Sequence, residues 1–154
     1  MKKILIPVAF LQFLACSSEK NLTPGQLTCE YLENPAVVDV MQPRLSWINV
    51  ALEGERGQEQ TAWQVRVASS GDKLEQPDLW DSGKRSSSKS TRVRYEGKTL
   101  ESRQECWWQV RVWDREGIAS DWSEPGWWRM GLLQPGDWKA KWINDGKKNP
   151  SNEE

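Results

Sequence analysis

The clearest pattern in the chain is an alternation of apolar and polar residues that runs from Cys106 to a turn ending at Gly117. One face of the predicted strand is continuously apolar and carries Cys106, Trp108, Val110 and Val112. The opposite face is mixed and carries Trp107, Gln109, Arg111 and Trp113. The pentapeptide Trp-Gln-Val-Arg-Val occurs twice, at 63–67 and at 108–112. We expect the two strands to lie side by side in one sheet of a β-sandwich, with their valines inward.

Short strands bounded by turn residues are also predicted at 26–32, 43–48, 61–69, 79–83, 91–95 and 123–133. Their inward anchors are expected to be Leu27, Cys29, Tyr31, Leu45, Trp47, Trp63 and Trp80, with Leu100 closing one end. After residue 20 no helical periodicity of useful length appears. About seven strands spaced in this way indicate an all-β, immunoglobulin-like or fibronectin type III-like sandwich, which we place at 26–134.

The two ends of the chain follow different patterns. Residues 137–143 predict one more strand, and the polar residues after them are expected to be disordered, so that 135–154 is interpreted as the truncated start of a following β-domain. At the other end, Lys2 and Lys3 precede a short apolar run that stops at Cys16. This run is too short for a permanent membrane span and indicates an export signal.

The residues around Cys16 resemble a bacterial lipoprotein signal. Leu14, Ala15 and Cys16 match it, although Phe13 stands where leucine is usual. The interpretation is a signal peptide over 1–16, a lipid on Cys16 that holds the protein at a membrane, and a polar tether over 17–25. Ser17 favours the outer membrane, and the protein faces either the periplasm or the cell surface. The alternative is an ordinary secretory signal with a chance cysteine.

Composition narrows the possible chemistry. The chain has eleven tryptophans, which can build a core from few residues, and no histidine, the commonest general base and metal ligand. A net charge of −1 argues against nucleic acid as a partner. A basic stretch is interpreted as a solvated strand face and loop, and comprises Lys84, Arg85, Lys89, Arg92, Arg94, Lys98 and Arg103. No cofactor or metal site is predicted.

No catalytic residue is predicted. The carboxylates that could form a glycosidase pair lie in turns and at strand ends, namely Glu101, Glu105, Asp114, Glu116, Asp121 and Glu124. The tryptophans expected at the surface are Trp107, Trp113, Trp122 and either Trp127 or Trp128. They either cover a joint with a neighbouring domain, which we favour because no polar cluster accompanies them, or stack on a sugar. Cys29 and Cys106 are expected in opposite sheets, as buried thiols or as a disulfide.

A series of motifs resembles the N-terminal domain of bacterial α-L-rhamnosidases. The series covers most of residues 26–143 in order: the segments 29–35, 43–47, 60–65, 79–84, 108–114, 122–125, 130–133 and 137–143. The resemblance implies an accessory domain whose partners are downstream domains absent from this chain. In that family the last motif leads into a second β-domain, and the two catalytic carboxyl groups lie in a helical barrel far beyond it. The chain is therefore expected to be a fragment with a supporting role; the alternatives are an independent carbohydrate-binding or structural sandwich.

Overall fold

The computed structural model of the chain describes residues 22–51 and 56–141. Two antiparallel sheets form a β-sandwich, which confirms the predicted all-β class. Two short 3-10 helices, Gly71–Lys73 and Pro135–Asp137, are the helical elements of this part of the chain. The strands are β1 Leu22–Cys29, β2 Arg44–Ala51, β3 Ala62–Ala68, β4 Trp80–Asp81, β5 Arg85–Ser86, β6 Val93–Arg94, β7 Glu105–Trp113 and β8 Gly126–Arg129.

The repeated pentapeptide forms the centre of the larger sheet. This sheet has the order β4-β3-β7-β8, with β5 also paired to β3, and the smaller sheet has the order β1-β2-β6. Strands β3 and β7 are antiparallel neighbours, and their register places Val65 opposite Val110 and Trp63 opposite Val112. Val65, Val67, Val110 and Val112 are completely buried. The adjacency and the inward direction of the valines are both as predicted.

Aromatic rings fill the space between the sheets. Trp47 and Trp63 meet edge to face with centroids 5.8 Å apart, and Tyr95 touches Trp80 at 5.4 Å and Trp128 at 6.1 Å in the same manner. Edge-to-face pairs add to the stabilisation that comes from the area such rings bury. The predicted inward residues Leu45, Trp47, Trp63, Trp80, Trp108 and Leu100 are all buried.

The first strand begins earlier than the sequence pattern predicts. Residues 22–25, which we assigned to the tether, belong to β1, and Leu22 is buried opposite Ala51 of β2. The alternation was hidden because the register shifts between Gly25 and Thr28, where Gln26 has a φ of +47°. This β-bulge, and Pro24 before it, are compatible with the position of β1 at the edge of its sheet.

The same strand ends at Cys29, before the predicted residue 32. Glu30 and Tyr31 have positive φ angles of 48° and 69° and turn the chain, so that Tyr31 is 61% exposed instead of inward. The Glu30 carboxylate accepts a hydrogen bond from the backbone N–H of Arg44 at 2.6 Å and further bonds from its guanidinium. These bonds lower the pKa of Glu30 and fix the turn.

Two further predictions near the C-terminal side need correction. Strand β8 covers only Gly126–Arg129 of the predicted 123–133. Residues 137–141 form no strand, because Asp137 ends the 3-10 helix Pro135–Asp137 and its Oδ2 accepts the backbone N–H of Gln134 at 3.0 Å. Residues 142–154 and the proposed lipid site Cys16 lie outside the described residues.

The two cysteines end in opposite sheets, as predicted, on β1 and β7. Both are free, buried thiols rather than a disulfide. Burial raises the pKa of Cys106 to about 12 and raises that of Cys29 as well. Because the thiolate is the reactive form, these cysteines are inert core residues.

Candidate functional site

The outward face of the larger sheet carries the aromatic residues that the sequence placed at the surface. Alternation along β7 directs Arg111 and Trp113 away from the valine core. The register with β3 places Gln64 opposite Arg111 and Arg66 opposite Gln109, so polar and aromatic side chains share one surface. We call the set Gln64, Arg66, Asp81, Lys84, Arg111, Trp113 and Trp122 the cation–aromatic ladder.

Arg111 lies at the centre of this ladder. Its guanidinium carbon is 5.0 Å from the ring centroid of Trp113 and 4.7 Å from that of Trp122. Its Nε and Nη2 donate hydrogen bonds to Gln64 Oε1 at 3.0 and 2.8 Å. Burial, followed by the nearby charge of Arg66, lowers the pKa of Arg111. An arginine in this position makes cation–π contacts with both rings and uses its N–H donors in hydrogen bonds at the same time.

The ladder continues to Asp81 of β4. Gln64 Nε2 donates to Asp81 Oδ1 at 2.6 Å, and Arg66 Nε donates to Asp81 Oδ2 at 3.3 Å. Arg66 also lies over Trp122, with 4.4 Å between its guanidinium carbon and the ring centroid. Burial alone would raise the pKa of Asp81, but the hydrogen bonds from Gln64, Gly83 and Arg66 lower it. The carboxylate is therefore a fixed structural anion.

The ladder covers two of the rings that we expected at the surface, Trp113 and Trp122. Trp113 is buried at 8% exposure, with Lys84 Nζ 4.5 Å from its ring centroid, so its assignment as a surface residue is wrong. Trp107, Trp122 and Trp127 are each partly buried, whereas Trp128 is completely buried in the core. The alternation could place Trp113 on the outward face, but it could not detect the cations that cover it.

The carboxylates serve structure in the places where their contacts are described. Asp114 is buried, and its Oδ1 accepts the backbone N–H of Ile118 at 2.8 Å across the turn after β7. Glu105 forms an ion pair with Arg129 of the adjacent strand. Across residues 22–51 and 56–141, no cluster of histidine, cysteine or carboxylate side chains could hold a metal. In the same ranges, no helix has the length and apolar character that crossing a bilayer requires.

A second surface escaped the sequence reasoning. The connection between β1 and β2 exposes Tyr31, Leu32, Val37, Val40 and Met41, with exposed fractions from 40% to 69%. We call these five residues the apolar connection. Val40 and Met41 border a pocket of about 630 Å³, and Val37 borders another of about 560 Å³. A signal existed in the run at 36–41, which is mostly apolar but was assigned to no strand.

Hydrogen bonds hold the apolar connection beside the segment that follows β8. The backbone N–H of Gly131 donates to Val38 O at 2.7 Å, and that of Arg103 donates to Gly131 O at 3.0 Å. The hydroxyl of Ser102 in turn donates to Asp137 Oδ2. Trp138, the next residue, is 60% exposed. Hydrogen bonds thus connect both the apolar connection and the residues up to Asp137 to the short segment around Ser102, Arg103 and Gly131.

Comparison with known proteins assigns this sandwich to a family. Residues 24–134 match the model described as the Rha78A-like, N-terminal immunoglobulin domain. The chain belongs to this family. The start of the match at residue 24 also agrees with the early start of β1.

Several full-length α-L-rhamnosidases contain a region similar to this chain. An α-L-rhamnosidase of Streptomyces avermitilis is 48% identical over 115 residues, which are 75% of this chain and 11% of the enzyme. One from Formosa agariphila is 42% identical over 143 residues, covering 91% of this chain and 15% of the enzyme. The crystal structure of the Streptomyces avermitilis enzyme complexed with L-rhamnose matches 80% of this chain and 12% of its own, at 46% identity and a TM-score of 0.76. This Rha78A-like chain thus spans only about a tenth to a seventh of these relatives' length.

Proposed function

We propose that this chain is the non-catalytic accessory domain of an α-L-rhamnosidase-type glycoside hydrolase, in which it packs on and positions the catalytic modules. The observation that carries the proposal is the match of residues 24–134 to the N-terminal domain of such enzymes. The contacts of two carboxylates agree with a non-catalytic role. Asp81 accepts a hydrogen bond from Gln64 in the cation–aromatic ladder, and Asp114 accepts one from the backbone N–H of Ile118 in the turn after β7. A glycosidase needs two carboxyl groups facing one another across a cleft.

The apolar connection is the surface we propose for this packing. Isolated exposed apolar residues are ordinary, but several in one segment mark a contact with another protein or domain. The connection is bonded to the segment at residue 131, three residues before the end of the match at residue 134. Because the matched domain is an N-terminal one, the rest of such an enzyme follows it in the chain. A following domain would therefore emerge beside these side chains and could cover them without a long linker.

An exchange of domains tests this function. The present domain would replace its counterpart in the Streptomyces avermitilis enzyme, and rhamnosidase activity and its thermal inactivation would be measured. We expect the chimera to be active and to inactivate at a temperature close to that of the parent. The chimera with the triple variant Val37→Ser, Val40→Ser, Met41→Ser should inactivate at a lower temperature than the unsubstituted chimera. Its interface would bury three hydroxyl groups and lose apolar contact area.

The matched control uses Ile48 and Val50, which are each 51% exposed on β2. The variant Ile48→Ser, Val50→Ser removes similar apolar side chains outside the apolar connection and should leave the chimera unchanged. An equal loss in both variants would reject the connection as the interface. An inactive chimera with a correctly folded catalytic part would contradict the supporting role itself.

We also propose that lipid on Cys16 anchors the mature protein to the membrane, most simply the outer membrane. The support is the sequence pattern that ends in Leu14, Ala15 and Cys16. Acyl chains on one residue would hold the protein at the surface of the bilayer. Mass spectrometry of the N-terminal peptide from membrane fractions should find acylated Cys16. The Cys16→Ala variant should lose the modification and leave the membrane fraction; an unmodified Cys16 in the mature protein would reject the proposal.

A further inference from the structure

A small pocket opens on the flank of the sandwich, where the chain crosses from one sheet to the other. Strand β5 pairs with β3 in the larger sheet and places Arg85 opposite Trp63. Strand β6 pairs with β2 in the smaller sheet and places Val93 opposite Leu45. The pocket has a volume of about 260 Å³ and is lined by Trp63, Arg85, Lys89, Arg92, Val93, Arg94 and Glu96. We call it the flank pocket.

The charge around the flank pocket is unbalanced. Four cationic side chains line it, and Glu96 is the one carboxylate among its lining residues. Glu96 Oε2 lies 3.6 Å from Arg85 Nη2. No ion pair joins Lys89, Arg92 or Arg94 to any carboxylate within 22–51 and 56–141. Because like charges held around one cavity repel each other, the site favours an anion in a chain whose net charge is −1.

The lining of the pocket also includes an unsatisfied donor. Trp63 is 9% exposed, and its indole N–H has no acceptor within the described part of the chain. The neighbouring Trp47, by contrast, donates its indole N–H to Gln60 Oε1 at 2.9 Å. A buried donor without an acceptor is costly, so such a group in a native structure needs an explanation. Because this N–H is itself inaccessible to solvent, an acceptor bound in the flank pocket would pair with it only after a small shift of the lining.

We propose that the flank pocket binds an acidic sugar residue through its carboxylate. The cations recognise the anion, and Glu96 can accept bonds from sugar hydroxyls. Trp63 and Val93, which are 9% and 4% exposed, add only a small apolar contribution to the lining. The small volume fits a single sugar residue rather than a protein surface. The choice of a saccharide as the ligand rests on the proposed function, whereas the preference for an anion does not.

Titration of the purified chain with two ligands that differ only in the carboxylate tests this site. Methyl β-D-glucuronide and methyl β-D-glucoside would be added at low ionic strength, and the indole N–H signals followed by ¹H–¹⁵N NMR. The Trp63 signal is identified by its loss in Trp63→Phe. We expect saturable shifts of this signal with the glucuronide and none with the glucoside. No shift at about 10 mM glucuronide, where a millimolar site would be occupied, would overturn the proposal.

Charge-removing variants locate the site. Lys89→Gln and Arg94→Gln should each weaken glucuronide binding about 10-fold, the cost of one charge-assisted hydrogen bond. The control is Lys98→Gln, which removes an exposed cation of the same basic stretch that does not line the flank pocket; its affinity should be unchanged. Equal weakening by the control would overturn the assignment to this pocket. Inorganic sulfate that binds as tightly as the glucuronide would overturn the assignment to a sugar. The titration needs no catalytic partner, so its failure is separable from a failure of the domain exchange.

Discussion

The cation–aromatic ladder and the apolar connection are both rich in large side chains, yet they treat most of those side chains in opposite ways. Tyr31 of the connection resembles the ladder rings, since the Arg44 guanidinium carbon lies 5.0 Å from its ring centroid, but the four aliphatic side chains do not. In the ladder, Trp113 is 8% exposed because Lys84 and Arg111 cover it. In the connection, Val37 is 69% exposed and meets no such cover. The first surface is complete within one chain. The second leaves apolar side chains exposed, so covering them would add stabilisation.

This difference shows that the number of aromatic residues on a surface does not identify a binding site. A flat sheet face lets side chains from neighbouring strands reach across each ring, so aromatic and cationic residues satisfy one another locally. A connecting segment at the side of the sandwich has fewer neighbours that can do this. The better indicator of a docking surface is therefore an apolar side chain without an internal partner.

The largest effect that would test the comparison is expected from Trp113→Ala. Removing a buried indole from the ladder leaves a cavity and removes one ring contact each from Lys84 and Arg111. We expect the free energy of unfolding of the isolated domain to fall by about 3 kcal/mol, the lower end of the cost for large buried aromatics. Urea unfolding measures it. A loss below about 1 kcal/mol would place Trp113 among exposed residues after all.

A smaller effect is expected from Arg111→Met, which keeps an unbranched apolar stem and removes the guanidinium. The variant loses two cation–aromatic contacts and the bonds to Gln64 Oε1, so we expect a loss of about 1–2 kcal/mol in urea unfolding. The control is Arg115→Met, because Arg115 forms an exposed pair with Glu59 at 3.5 Å and such pairs contribute little. Equal losses in the two variants would mean that the ladder has no special stability.

The ladder should also confer a pH dependence through Asp81. Its folded pKa is lowered, so the unfolded chain binds more protons in acid. This contribution is fully present above the unfolded pKa of about 3.9 and is lost as pH falls through the folded value. In urea unfolding at a series of pH values from neutral into acid, Asp81→Asn should show a shallower loss of stability below pH 4 than the wild type. Identical slopes would show that the Asp81 carboxylate is not held as described.

The smallest effect is expected from Val37→Ser in the isolated domain. Since this side chain is 69% exposed, its replacement should change the free energy of unfolding by less than about 0.5 kcal/mol. Thermal or urea unfolding is sufficient to measure it. A loss comparable with that of Trp113→Ala would show that the apolar connection already has an internal partner, and the contrast between the two surfaces would disappear.

The sequence predicted the parts of the fold that depend on alternation within one strand. Val65, Val67, Val110 and Val112 are buried where the period of two placed them, and the repeated pentapeptide made the pairing of β3 with β7 recognisable. Residues 22–25 were missed because the bulge interrupts the alternation. Of the strand expected at 137–143, the described residues 137–141 form none, because capping by Asp137 outweighs a weak apolar period.

The candidate surfaces were harder to predict, since they depend on contacts between residues far apart in sequence. Lys84 and Trp113 are 29 positions apart and meet only after the sheet has formed. Similarly, the flank pocket joins Trp63 to cations from two later strands in different sheets. A pattern within one segment can place such residues on a face, but cannot show which neighbours will cover them.

The bulge at Gly25–Thr28 affects whether copies of the domain can associate through the edges of their sheets. Regular sheet margins offer rows of free amide and carbonyl groups onto which a strand from another molecule can add. Here β1, the long strand at one margin, is kinked and contains Pro24, while β4, β5 and β6 at other margins have only two residues each. At the remaining margin, the Arg129 N–H of β8 donates to Pro35 O, and Arg129 O accepts the N–H of Val38. None of these margins therefore gives a second chain a long straight template, so crowding should favour separate sandwiches over intermolecular β-sheet.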